Sequence, residues 1–116
     1  MVSRLRRSLE AQPQARHFVI HGEEPPRVED LVAESAQYSV AVYGLPVSDT
    51  CKEVVDGVVR ATVPRQNLVT LRGPWVFTRE ALADALPRVE GRETEIVDMI
   101  GLAEAARVRV RVLPAR

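Results

Sequence analysis

At 116 residues, with 46% apolar and 28% charged side chains and sixteen basic residues balanced by sixteen acidic ones, the chain has the make-up of one folded domain. That composition excludes a disordered, fibrous or membrane-embedded class. No apolar run approaches the ~18 residues of a transmembrane helix, and the charged stretch 1–12 is unlike a secretory leader, so a cytoplasmic protein is expected. The single cysteine, Cys51, excludes an internal disulfide, and with only His17 and His21 beside it neither a metal site nor a cofactor is expected.

Ser3 to Gln12 are good helix formers with Leu5 and Leu9 on one face, and Pro13 stops them. Arg16 to His21 alternates as a short strand, with Phe18 and Ile20 on one side and His17, Val19 and His21 on the other. After the turn residues Pro25 and Pro26, the stripe Val28, Leu31 and Val32 predicts a helix over 27–36, with Glu29 and Asp30 at its positive end. Tyr38 to Tyr43 is rich in strand formers and apolar on both faces, as in the interior of a sheet.

Ser48, Asp49 and Thr50 are candidate N-caps, and Val54, Val55, Val58 and Val59 recur four apart, predicting a helix to about Arg60. Asn67 to Arg72 reads as a strand ended by Gly73 and Pro74. Thr78 is placed to cap a helix over 79–86, with Phe77 and Leu82 at the spacing of a hydrophobic staple. A helix over 93–105 follows from Ile96, Ile100 and Ala103. The last element, 107–113, alternates arginine with valine as a half-buried strand. The expected fold is a single α+β domain over 1–116, a three- to four-stranded sheet packed against helices in the order β-α-β-α-β-α-α-β after the first helix.

Charge is laid out unevenly. Residues 1–21 sum to +3 and residues 107–116 to +4, leaving −7 for the middle. Adjacent termini would place Arg4, Arg7, Arg107, Arg109 and Arg111 in one basic patch. Alternate strand residues lie roughly 6.6 Å apart, near the spacing of phosphates along an extended strand. Edge protection against other strands explains the same ladder without any ligand. Trp75 is either a stacking platform or one of the largest pieces of the core.

Three candidate catalytic residues stand out. His17 and His21 would lie roughly 13 Å apart along a strand, too far to share a metal, though either is a possible acid or base. Cys51 in a helical first turn would have its thiol pKa lowered by the backbone amides, but no base is placed beside it.

The function expected from these residues is a small binding module engaging nucleic acid or an acidic protein partner through the basic face. A toxin–antitoxin or mobile-element role fits its size and charge. The alternatives are a metal-independent ribonuclease using His17 or His21, and a structural subunit of a homo- or hetero-oligomer.

Overall fold

The computed structural model describes residues 1–21, 27–48 and 50–115. Helix α1 (Val2–Ala11) leads into strand β1 (His17–Ile20), α2 (Glu29–Tyr38) and β2 (Val40–Pro46). Strands β3 (Cys51–Val55) and β4 (Val58–Val63) follow, then β5 (Val69–Thr78), α3 (Arg79–Arg88), α4 (Met99–Ala105) and β6 (Arg111–Pro114). One sheet has the order β1-β5-β2-β6, and β3 with β4 forms a separate two-stranded sheet. In the larger sheet β5 is antiparallel to β1 and β2, whereas β6 runs parallel to β2.

Both faces of that sheet are covered, because its middle strands are apolar on both sides. Val40, Val42, Trp75 and Phe77 pack with Leu5, Leu82, Leu86 and Leu102 of the helices on one face. Ala41 and Val76 pack with Leu31 of α2 on the other. Gly44 permits the close approach of β6, since a Cβ there would lie 2.7 Å from Val112 Cγ1. The small sheet covered by helices agrees with the sequence-based expectation; the order of elements does not.

The main correction concerns residues 50–63. The valine spacing predicts a helix, yet the segment is a hairpin, with Val54 opposite Val59 and Val55 opposite Val58. Asp56 and Gly57 form its turn at φ 51° and 78°, the paired positive values of a two-residue hairpin connection that Asp-Gly favours. β-branched residues flanking such a turn satisfy a strand better than a helix. A cap at Asp49 and a turn at Pro25 and Pro26 lie outside the described residues.

Further differences are local. The strand expected to end at Arg72 continues to Thr78, with an irregularity at Gly73–Pro74, whose peptide bond is cis. The helix expected to stop before Pro87 includes it. In place of a helix over 93–105 there is a 3₁₀ turn (Glu93–Glu95), and then α4 starts where the Asp98 carboxylate accepts the Gly101 amide at 2.7 Å. Thr78 does cap α3, its hydroxyl accepting from the Ala81 amide at 3.1 Å.

Arginines fasten the helices to this frame. The Arg79 guanidinium donates to the carbonyl oxygens of Gln12 and of Ala15, the latter at 2.6 Å, and lies 5.2 Å from the Phe18 ring centre. With the Leu9 carbonyl accepting at 3.5 Å as well, it ties the last turn of α1 and the loop after it to the start of α3. Arg6 of α1 pairs with Glu93 at 3.1 Å. The Glu93 carboxyl is held below the ordinary glutamate pKa by its own backbone amide first and by Arg6 second. A depressed carboxyl contributes stability above its unfolded-state pKa and loses it as pH falls through the folded value.

Two outcomes follow for urea unfolding. Phe77→Ala lowers stability by about 3–5 kcal/mol, whereas Thr78→Ala removes only a cap and costs about 1 kcal/mol. Glu93→Gln is slightly less stable than the parent at neutral pH, and the gap closes as pH drops below the glutamate range, read as converging urea midpoints.

Candidate functional site

The interior run of β2 and β5 ends abruptly, and a cleft begins there. Val42 faces Trp75, but the next pair is Tyr43 with Arg72, so Gly73 and Pro74 bulge out of β5. Such an irregularity re-aims the side chains beside it. Tyr43, Leu45, Arg72, Gly73 and Pro74 line a cleft of about 750 Å³ together with Arg27, Glu29, Asp30 and Ala115. A shallower groove of about 280 Å³ continues it along α2 past Asp30, Glu34 and Leu113.

The position has a topological reason. Leu45 and Ala115 sit at or just beyond the carboxyl ends of the parallel neighbours β2 and β6, the end of an α/β sheet at which ligands bind. The amino end of α2 opens onto the same space, bringing the dipole's positive end and the carboxylates of Glu29 and Asp30. The cleft therefore holds two guanidinium groups, Arg27 and Arg72, two carboxylates and one phenol. Arg27 and Arg72 are exposed, available to an anion in a bidentate manner. Among the described residues, no group of three His, Cys, Asp or Glu side chains converges as a metal cluster.

The residues singled out from sequence lie elsewhere. His17 is half-buried in β1 and His21 is exposed just beyond it. Cys51 is half-buried at the base of the hairpin, opposite Val63, and not in a helical turn. Trp75 is 7% exposed, inside the core and stacked near Phe77 with ring centres 6.4 Å apart.

The arginines of the expected basic patch are carried by different elements. α1, with Arg4 and Arg7, leads into β1 at one edge of the sheet, while the terminal arginines run to β6 at the other. Arg107 is a turn residue at φ 57°, Arg109 precedes β6, and Arg111 is tied to Glu34 at 3.6 Å and to the Tyr38 ring. Sequence reading missed Arg27, Arg72 and Tyr43. The available signal was Arg72 before Gly-Pro inside an apolar strand run.

Residues 7–116 match the family model for IspD, 2-C-methyl-D-erythritol 4-phosphate cytidylyltransferase. The enzyme of that name from Carboxydothermus hydrogenoformans is 36% identical over 80 residues, 69% of this chain and 34% of its own length. That from Deinococcus radiodurans is 32% identical over 90 residues, 78% of this chain and 39% of its own. The chain thus spans little more than a third of these curated relatives.

Among solved structures, the 4-diphosphocytidyl-2C-methyl-D-erythritol synthase of Anaerococcus prevotii superposes with a TM-score of 0.77 at 19% identity, covering 95% of this chain and 54% of that one. The cytidylyltransferase of Thermus thermophilus gives 0.70 at 22%, covering 95% and 56%. At these identities the superpositions establish the fold.

These matches overturn the expected nucleic-acid or acidic-protein binding module and its toxin–antitoxin or mobile-element setting, and the ribonuclease and structural-subunit alternatives with it. The relatives are named for a small phosphorylated polyol, not for nucleic acid or a protein partner. On the residues matched, this chain belongs to the 2-C-methyl-D-erythritol 4-phosphate cytidylyltransferase (IspD) family.

Proposed function

We propose that this chain is the lobe of a cytidylyltransferase that holds the polyol phosphate, with the cleft at the ends of β2 and β6 as its binding site. The observation that carries this reading is the mixed charge of the cleft: Arg27 and Arg72 together with Glu29, Asp30 and the Tyr43 hydroxyl. A phosphate monoester with free hydroxyls suits that set. The guanidinium groups hold the phosphate, and the carboxylates accept hydrogen bonds from the polyol. A nucleoside triphosphate, with up to four negative charges and few hydroxyls, is repelled by the same carboxylates.

In the transfer itself, a phosphate oxygen of the polyol attacks the α-phosphorus of a cytidine triphosphate. The new P–O bond forms as pyrophosphate leaves with the bonding electrons. The contribution of this lobe is to neutralise and aim the attacking phosphate, which lowers the barrier by orientation and by offsetting the repulsion of two anions. The family match, together with a cleft at the ligand-binding end of the sheet, supports an enzyme role.

A second observation favours self-association. The β3–β4 hairpin forms a sheet of its own, and Val54, Val55, Val58 and Val59 on its two faces are 42–67% exposed. Two strands alone are marginal in water. Lys52, Glu53, Asp56 and Arg60 sum to zero charge, so a second copy of the hairpin meets no net repulsion and supplies an identical apolar face for an isologous contact.

Two measurements check these readings. By calorimetry the chain binds 2-C-methyl-D-erythritol 4-phosphate, and Arg72→Ala or Arg27→Ala weakens it by about tenfold or more, the usual scale of a lost charge-assisted hydrogen bond. The unphosphorylated polyol should be insensitive to both substitutions; equal affinity of all variants for the phosphate rejects the site. By light scattering, the parent forms dimers and Val54→Asp with Val58→Asp forms monomers; a monomeric parent rejects the hairpin contact.

A further inference from the structure

The tip of the β3–β4 hairpin is Asp56 followed by Gly57, the one Asp-Gly or Asn-Gly step in the sequence. Both residues are exposed. Asp56 is held at φ 51°, a left-handed conformation that side chains other than Asn and Asp seldom adopt. Its carboxylate enters no hydrogen bond or ion pair among the described residues, and the cations of the hairpin are engaged elsewhere, Lys52 with Thr62 and Arg60 with Glu53.

The peptide nitrogen after Asp56 is open to attack by that carboxyl group. A Cβ placed on Gly57 would meet nothing within 4 Å, and in a two-residue connection the second N–H stays outside the ladder, because the strands close through Val55 and Val58. The other aspartates lack this combination. Asp30, Asp84 and Asp98 precede Leu31, Ala85 and Met99, whose side chains are buried, and Asp49 precedes the β-branched Thr50. The Asp84 and Asp98 carboxylates are also held, by Arg88 and by the Gly101 amide.

We propose that Asp56–Gly57 is a site of spontaneous covalent modification, at which the aspartate isomerises to isoaspartate and the hairpin opens. The Gly57 nitrogen attacks Asp56 Cγ; an N–C bond forms, and the carboxyl hydroxyl leaves with the amide proton as water. The product is a five-membered cyclic imide. Water then adds to the former α-carbonyl carbon of Asp56 and breaks its bond to the nitrogen, so that the chain runs through Cγ and an α-carboxylate is freed. One water is lost and one is gained.

Ring closure requires rotation about the Asp56 Cα–C bond, out of the turn. A sheet of only two strands opens at small cost, which gives the tip that freedom. Isoaspartate puts an additional methylene into the backbone, and a two-residue connection with both φ values positive has no room for it. The Val55–Val58 and Val54–Val59 pairs then lose their register. The inference rests on the sequence and geometry of the hairpin and is independent of self-association and of what the cleft binds.

The test stores the folded chain at neutral pH near body temperature and then digests it with trypsin, which cuts after Lys52 and Arg60. In the 53–60 peptide, isoaspartate is recognised by unchanged mass, shifted elution and labelling by an isoaspartyl carboxyl methyltransferase. It accumulates there at least about tenfold faster than at Asp30, Asp84 and Asp98, whose helices must open first. Asp56→Glu, which would have to close a six-membered ring, loses the product. In Asp56→Asn, a residue the same turn favours, the reaction is faster and ammonia leaves in place of water. Hairpin amides of the aged chain exchange faster than in fresh protein, while Trp75 fluorescence is unchanged.

Three results overturn the proposal: no isoaspartate at Asp56 in the folded chain while the urea-unfolded chain forms it, equal formation at Asp30, Asp84 and Asp98, or hairpin exchange that ageing leaves unaltered.

Discussion

Where β2 lies against β5, Val40, Ala41, Val42, Val76 and Phe77 are completely buried, and these side chains alternate between two separate apolar clusters, one on each face. A strand pair buried on both sides has little freedom in register, because a one-residue slip exchanges every side chain between the two faces. That pairing determines where the apolar run stops, and so where the Gly73–Pro74 irregularity and the Tyr43–Arg72 pair must fall. The cleft is a consequence of how the core ends.

Arginine is abundant here, fifteen of the sixteen basic residues, and most of its visible uses are mechanical. Arg79 binds the end of α1, Arg88 donates to the Ala106 carbonyl at 3.0 Å, Arg65 donates to the Ser48 carbonyl, and Arg6 and Arg111 pair with carboxylates. A planar fork of donors suits carbonyl-rich helix ends and loops better than a lysine does. Counting cations along the chain therefore overstates the charge offered to a ligand. The exposed guanidinium groups that matter for the cleft, Arg27 and Arg72, come from outside both basic termini.

Much of the frame was legible in the residues. Leu5 and Leu9 marked α1, the alternation at Phe18 and Ile20 marked β1, and Thr78 with Phe77 and Leu82 marked the start of α3, because each signal is local and physically sufficient. The hairpin was misread since Val54, Val55, Val58 and Val59 match a helical stripe as well as two strands, and only Asp56-Gly57 breaks the tie. Glu93 to Val97 lacked the cap that Asp98 supplies to α4. The cleft could not be read at all: Arg27 and Arg72 are distant in the chain and line one cleft because α2 packs through Leu31 on Ala41 and Val76, a long-range contact that no local pattern reveals.

The same physics explains why some surfaces of this chain are well finished and others are not. The helix-covered faces of the sheet bury their apolar groups, and among the described residues no buried side-chain nitrogen or oxygen lacks a partner. Among the exceptions are Val19, Val69, Val97 and Ile100, scattered over several segments, and the four hairpin valines, which are neighbours on one two-stranded sheet. Single exposed apolar residues are ordinary on a protein surface, but four that adjoin on one hairpin form a continuous apolar surface, and burying each stabilises by roughly 1.5–3 kcal/mol. On the self-association proposed above, that surface is the one a second copy of the hairpin covers.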